Sequence, residues 1–573
     1  MKTKFLIALL STAVLATSCN SDEFDNIQSQ LDSMNAKLAS LETVSSKIDA
    51  ISSSVSGLSN AQASTANQLQ VLLNQIEILA SQTTDLTEIS GLLDQVSAEL
   101  TTDINGAIDI LGNFLGKDKT FGHRSISPEG SSFFKLSSEF SSVKISTLMT
   151  SEDVLPESPD FVYGSMADGS ALLKNSDNTY TLINNIEADY SIARVVLDET
   201  LTPLRGEYIL NQEATATTAM CSGSIITPKD HGFGPLYLSG GEWGAGIKQG
   251  VYAVDPMKKA SQASSAKVLT QLGEWAVENA VALHKDAFPG KTVVMIGDDN
   301  SADNIPQGAF GLYVGDHGDL ENGKLYGLKV PGMKYEMEMK EGETYNFEMY
   351  EFQERALAPL NQEGIDNEVM GFSRVEDIDW RRGSASNSRE AYFAVTGRKK
   401  AGLKDKGTFY GRVYKIVFDA SSPLKGTISP VLDGDNLTGV AKQFHSPDNI
   451  LVTENYAYIQ EDLNGYPDTA DKSHYAYLYQ YNLNTGELKV VLECDQVSAA
   501  ALGYGNTSEP WEITGMIDIS EEVNKKGTFL MITQNHGWSP KDGSAFSDPK
   551  AVIDIDSSLK EGSMLFLVEG LDQ

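Results

Sequence analysis

Two rhythms of apolar residues divide this chain. Up to Gly116, apolar side chains return every seventh residue: Ile27, Met34, Leu41, Ile48 and Val55, then Leu72, Leu79, Leu86, Leu93, Leu100, Ala107 and Phe114. A companion row, Leu31 and Leu38, shifts to Val44, Ile51 and Leu58, and Leu69, Ile76, Val96, Ile104 and Leu111 flank the second series. A step of seven keeps one seam of a helix apolar, and residues 25–116 hold no proline, so the spacing predicts an α-helical coiled-coil stalk. The shift in the companion row reads as a stutter. Residues 57–67 are polar enough to form a hinge. Two stalk geometries stay open: a self-associating rod of roughly 130 Å at the helical rise per residue, or a helical hairpin within one chain. The rod, which makes the protein a homo-oligomer, is the favoured geometry.

After Pro128 the rhythm changes to short aromatic and β-branched runs separated by Gly, Asp and Asn turns. Such runs occupy residues 179–183, 250–255, 292–297, 391–395, 412–417 and 478–483. The last runs through Asn484-Thr485-Gly486-Glu487 into residues 488–492, a hairpin of the kind that builds propeller blades. The texture predicts a mainly β domain over residues 117–573, a β-propeller with helical insertions around residues 262–285 and 354–367. No exact repeat is visible. A β-sandwich fits less well, because the strand clusters continue to the C-terminus without an evident linker.

The N-terminus reads as a processing signal. Lys2 and Lys4 precede an apolar stretch, residues 5–14, too short for a permanent bilayer span. Leu15-Ala16-Thr17-Ser18-Cys19 resembles a bacterial lipoprotein box, which implies a signal peptide over residues 1–18 and lipid attachment at Cys19. Residues 19–24 then form the tether, and the lipid is the expected membrane contact. The acidic run that follows resembles the surface-export tag of certain Gram-negative lipoproteins, which places the protein on the outer membrane, facing the exterior. A net charge of −35, from 44 basic and 79 acidic residues, argues against nucleic acid as a partner. Of three cysteines, Cys221 and Cys494 remain once Cys19 is lipidated. A disulfide between them stays open, since spacing does not report geometry. Cys494 lies in a strand-like run and reads as a core residue, whereas the Gly/Ser turn around Cys221 suits chemistry.

Candidate chemistry sits in short motifs at the ends of strand-like runs. They are Cys221-Ser222-Gly223, Gly240-Gly241-Glu242, the stretch from Leu272 to Glu278-Asn279, and Gly297-Asp298-Asp299. Arg374-Val375-Glu376, Pro447-Asp448-Asn449, Glu512-Ile513-Thr514-Gly515 and Gln534-Asn535-His536-Gly537 follow. Carboxylates and a thiol scattered through a strand-rich domain suit a radial fold whose strand ends converge on cations. Arg374 and Glu376, two apart on an extended segment, point the same way. Asp299 reads equally well as a solvated turn residue. No Gly-x-Ser-x-Gly elbow appears, and the seven histidines form no His-x-x-x-His pair.

In their order these motifs resemble the PhoX-type alkaline phosphatase family, metal-dependent phosphatases on a decorated propeller. The resemblance implies iron and calcium as cofactors and a phosphorylated small molecule as substrate. Cys221, Glu242, Glu278, Asp298, Glu376, Asp448 and Glu512 would be metal ligands, and Arg374 the catalytic arginine. Two departures stand out. Val277 replaces a histidine common in the family, and the signal lacks the twin arginines that carry folded, metal-loaded members. Iron would then be loaded after export, and a calcium-only variant stays open. The alternative reading is a non-catalytic surface binding or scaffold lipoprotein with a calcium-bound propeller.

Overall fold

The computed structural model divides the chain into Met1–Asn113 and Phe114–Gln573, and it describes residues 121–244, 248–300, 302–463, 474–553 and 561–573. The expected stalk (residues 25–116), signal and lipidation site lie outside the described residues. Strands dominate: β1 (Phe134–Leu136), β2 (Lys144–Thr150), β3 (Ala167–Lys174), β4 (Tyr180–Ile186), β5 (Ser191–Leu197), β6 (Pro203–Leu210), β7 (Thr218–Ile226), β8 (Leu236–Gly244) and β9 (Gly250–Val254). Next come β10 (Val277–Ala282), β11 (Lys291–Asp298), β12 (Phe310–Asp316), β13 (Lys324–Lys329), β14 (Tyr345–Glu351), β15 (Val375–Trp380), β16 (Glu390–Val395), β17 (Arg412–Asp419) and β18 (Ser422–Asp433). The chain closes with β19 (Pro447–Val452), β20 (Tyr456–Glu461), β21 (Tyr477–Asn482), β22 (Leu488–Cys494), β23 (Glu512–Asp518), β24 (Thr528–Asn535) and β25 (Gly562–Glu569).

These strands build six radial antiparallel blades in a propeller-like ring. Their inner strands are β3, β7, β10, β15, β19 and β23, each packed against the next, with β23 returning to β3. The third and fourth blades fuse edge to edge through β14 and β18, giving one nine-stranded sheet. Strands from the start of the domain complete the last two blades: β1 pairs with β22 and β2 with β25. Backbone hydrogen bonds between early and late chain therefore latch the ring. Aromatic layers fill the wedges, such as Phe393 stacked on Tyr414 with centroids 5.0 Å apart and Phe372 edge-on to both. The hairpin at Gly486 forms as the sequence predicts. Cys494 is buried in the core, and both Cys221 and Cys494 are free thiols.

One insertion is a helix, Leu357–Asp366, where the sequence places one. The expected helix over residues 262–285 does not form. That segment holds two single 3-10 turns, a turn at Gly273 with φ of 87°, and the inner strand β10. The spacing of Leu269, Leu272, Trp275 and Ala280 mimics a helical stripe. Yet every residue of β10 is buried between neighbouring strands, so the segment has no polar face for a surface helix to expose.

The repeat that the sequence hides is structural. On every inner strand, at one step, three residues advance against two on the second strand of the blade. The step lies between Ala167 and Ser170, Met220 and Gly223, Val277 and Ala280, Val375 and Ile378, Pro447 and Ile450, and Thr514 and Ile517. A bulge re-aims the side chain it carries. The residues in the first bulge position are Asp168, Cys221, Glu278, Glu376 and Asp448, with Gly515 in the sixth blade, where Glu512 enters from the strand's first residue.

Candidate metal centre

The bulges gather these side chains at one end of the ring. Cys221, Glu242 and Glu278 each place a potential ligand atom within 4.8 Å of the other two, and so do Glu278, Glu376 and Asp448. Glu278 belongs to both groups. A further group, Asp168, Glu187 and Cys221, shares the thiol. Cys221 Sγ lies 3.1 Å from Glu242 Oε2, and the Ser222 amide donates to Glu278 Oε1 at 3.0 Å. Close backbone approach makes this crowding workable. A Cβ on Gly240 would collide with the Glu278 carbonyl oxygen, and one on Gly297 with that of Glu376.

Electrostatics make the assembly costly by itself. Burial, followed by the neighbouring carboxylates, pushes the Cys221 thiol and the Glu278 carboxyl well above their ordinary pKa values. Glu242 moves the same way through burial and Asp299, and Asp448 through burial and Asp462. Asp168 rises to about 8 through burial and Glu187. Groups held this far from their charged forms want compensating positive charge. The donor chemistry fits cations: the sulfur-containing group suits a transition ion, and the all-oxygen group of Glu278, Glu376 and Asp448 suits calcium.

Arg374 stands at the lip of these groups with φ of 74°, in the left-handed region that few non-glycine residues occupy. Its Nε lies 2.8 Å from Asp299 Oδ1, its Nη2 donates to Asp299 Oδ2 at 2.9 Å, and Nη2 sits 2.9 Å from Glu376 Oε1. Two carboxylates thus clamp one edge of the guanidinium. Asp377 and Asp379 are not its partners: Asp377 accepts the Ile450 amide at 3.1 Å, and Asp379 pairs with Arg382 at 2.5 Å.

Of the ligands expected from sequence, Cys221, Glu242, Glu278, Glu376 and Asp448 therefore come together. Glu512 lies nearby but groups with Asp462 and His536. Asp298 joins no group among the described residues; it is fully buried, and the charge that perturbs it is that of Asp299. Sequence reasoning missed Asp168, Glu187 and Asp462, and it undervalued Asp299, which is 4% exposed rather than solvated. Asp168 carried a signal, an aspartate before glycine at the head of a strand-like run. Glu187 carried none: it lies in a turn after β4, held by Trp243 Nε1 at 2.6 Å and Gln534 Nε2 at 2.9 Å.

No protein-family model matches the chain, and no curated protein sequence matches it. Among solved structures, PhoX of Pseudomonas fluorescens in complex with vanadate, a transition-state analogue, aligns with a TM-score of 0.54 at 14% identity, covering 78% of this chain and 98% of that one. At that identity the likeness shows the fold. An aldose sugar dehydrogenase of Streptomyces coelicolor aligns with a TM-score of 0.31 at 9% identity over 74% of this chain and 98% of its own. A glycosyl hydrolase of Bacteroides ovatus gives 0.31 at 10% identity over 64% and 100%. Likeness at that level carries no argument about this site.

Proposed function

We propose that this protein is a metal-dependent phosphoric ester hydrolase of the PhoX type, held on the cell envelope by a lipid on Cys19. The reading rests on one observation: a clamped guanidinium, Arg374, beside a buried thiol and carboxylates drawn from successive blades. The fold likeness to PhoX in complex with vanadate, a transition-state analogue, supports it. Cys221, Glu242 and Glu278 would hold iron, and Glu278, Glu376 and Asp448 calcium. Bound there, such ions supply Lewis acidity and make a water-derived nucleophile available at neutral pH.

The chain's own residues supply positioning. Asp299 and Glu376 fix the plane of the guanidinium before substrate arrives, so its free-energy cost of orientation is met in folding. The fixed positive charge of the guanidinium favours the negative charge that spreads over the phosphoryl oxygens in transfer. Burial of the carboxylate ring limits water around that charge, which strengthens each contact. The test is turnover of a generic phosphomonoester by the full-length protein, with and without chelator, beside elemental analysis. Turnover that needs bound metal and falls on Arg374→Ala or Glu376→Ala supports the reading. A calcium-loaded protein without turnover would favour the scaffold alternative.

A further inference from the structure

The bulges that gather the metal centre lie at the heads of the inner strands. The tails of the same six strands enclose a cavity of about 420 Å³, and it shares no residue with the groups that could hold metal. That volume is in the range of small-molecule sites. Leu172, Ile225, Val281 and Ile517 give it apolar walls.

Carboxylates ring its mouth. Asp230 comes from the short helix after β7, Glu454 from the turn after β19, and Asp518, Glu521 and Glu522 from the tail of β23 and the turn beyond it. The basic side chains among the lining residues are Arg382 and His231. Arg382 is engaged, its guanidinium 3.9 Å from the centre of the Trp380 ring and 2.5 Å from Asp379 Oδ1. Burial lowers the His231 pKa to about 4, so that ring stays neutral. Lys229 pairs with Glu521, whereas Glu454 and Glu522 form no ion pair among the described residues. The floor gives an independent sign. Asn279 lines it, with Nδ2 donating to Asp377 and a buried Oδ1 that meets no hydrogen-bond partner among the described residues. A buried acceptor in that state is unusual. Asp377 itself is satisfied by the Ile378 and Ile450 amides at 2.8 and 3.1 Å. From Ile450, level with that floor, to Glu454 at the mouth, the chain advances on the order of 13 Å at the rise of a strand.

We infer that this cavity binds a linear aliphatic polyamine, with one ammonium group donating to Asn279 Oδ1 at the floor and another held by Glu454 and Glu522 at the mouth. Both ends of the column offer acceptors, and an ammonium group carries donors alone. The methylene stem between them covers the apolar walls. A hydrated divalent ion answers the charge but leaves those walls against water. The inference stands without the phosphatase reading, because binding needs no turnover.

The experiment titrates spermidine into the full-length protein by calorimetry, at physiological salt and with calcium in excess, so that the metal centre is filled beforehand. One saturable class of spermidine binding is expected, with butylamine, which has a single ammonium group, weaker by about tenfold or more. Joint Glu454→Gln and Glu522→Gln substitution should weaken spermidine by about tenfold or more. Joint Glu348→Gln and Glu354→Gln substitution removes the same charge from exposed positions on and after β14, and should leave affinity unchanged. Equal weakening by the two pairs would reduce the effect to diffuse attraction by an acidic surface and overturn the inference. Unchanged affinity in the folded mouth variant also overturns it, as does butylamine binding as tightly as spermidine. If excess calcium blocks spermidine, the mouth takes inorganic cations and the inference falls. Should circular dichroism show the mouth variant misfolded, Glu454→Gln alone decides, since Glu454 is exposed: weaker spermidine binding supports the site, and unchanged binding removes it. Absent phosphomonoesterase activity with spermidine binding intact would sink only the catalytic reading.

Discussion

Buried carboxylates occur in two regions of this propeller, and they are treated oppositely. Behind the fourth blade, Glu336 Oε1 accepts the Ser373 and Thr408 amides at 2.8 and 2.9 Å, and Oε2 accepts the Tyr414 hydroxyl at 3.0 Å. Arg412 donates to the Glu336 and Met339 carbonyls at 3.0 and 3.1 Å and pairs with Asp433. Every charge there has an internal answer. Where the inner-strand bulges meet, the four carboxyl-rich groups have one arginine and one histidine for basic partners among the described residues. A network that satisfies itself is architecture, and one that leaves negative charge uncompensated is built around something added.

That contrast is sharpest in two arginine variants. Arg374→Ala should lower kcat for a phosphomonoester by about 10³, the scale of losing an oriented donor to transition-state charge, over and above the stability lost with the partner of Asp299 and Glu376. Arg412→Met should cost stability alone. Removing it strands Asp433 and Glu336 in the interior and costs about 3–5 kcal/mol in denaturant unfolding, with turnover per folded molecule intact. If Arg412→Met proves silent in stability, or Arg374→Ala in rate, the distinction between the regions fails.

Metal removal separates them next. Stripping the protein should destabilise it by about 4 kcal/mol per site that had been saturated at a thousandfold over its Kd. In the stripped state Glu376→Gln should raise the melting temperature, since it deletes one of several repelling carboxyls. In the same state Glu336→Gln should lower it, since an amide cannot accept every donor that Glu336 satisfies. A Glu376→Gln variant that is less stable without metal would mean the carboxylates are compensated by protein groups.

Much of the fold was legible because alternating runs and Gly/Asn turns mark strands wherever one face is solvated. The hairpin around Gly486 is such a case. Legibility failed at β10, whose six residues are all buried, so neither period two nor period 3.6 survives. It failed more broadly for the sixfold pattern. What repeats from blade to blade is a backbone step and an inward direction, and Asp, Cys and Glu each satisfy it equally well. The site was legible where a glycine or proline framed the acid, as at Glu242 and Asp448. Glu187 and Asp462 carry no such frame, and only the closing of the ring brings them near the others. Asp299 misled because two aspartates after a strand look like a turn, whereas Arg374, distant in sequence, draws the second inward.

Titration gives a smaller effect whose sign both regions share until metal is added. Burial, opposed by Arg412, raises the Glu336 carboxyl to about 7 from 4.5. A carboxyl raised on folding contributes stability that is complete below its unfolded pKa and is lost as pH rises through about 7. On the order of 3 kcal/mol is involved for Glu336. Glu278, Glu376 and Asp448 are displaced in the same direction. Stripped protein should therefore lose stability between about pH 5 and 8 by thermal melts. Saturating metal should remove the share belonging to the ring and leave the Glu336 share, which Glu336→Gln then abolishes. A metal-loaded protein with the same slope as the stripped one would contradict the assignment of those carboxylates as ligands.

The smallest effect concerns Asp298, the expected ligand that the fold sets apart. Its oxygens find no hydrogen-bond partner among the described residues, although the Ala276 and Ala309 amides lie close enough to lower its pKa somewhat. Burial and Asp299 still push the carboxyl well above its ordinary range, so the neutral acid is the favoured form. Asn keeps the shape and removes a charge the protein already avoids. Asp298→Asn should thus leave metal content unchanged, shift stability by under about 1 kcal/mol, and alter turnover by no more than about twofold through a slight movement of Asp299. Glu278→Gln, one strand away, should remove metal by elemental analysis, because it withdraws an oxygen from two groups at once. Loss of a full metal equivalent in Asp298→Asn would place this residue among the ligands and redraw the centre around β11.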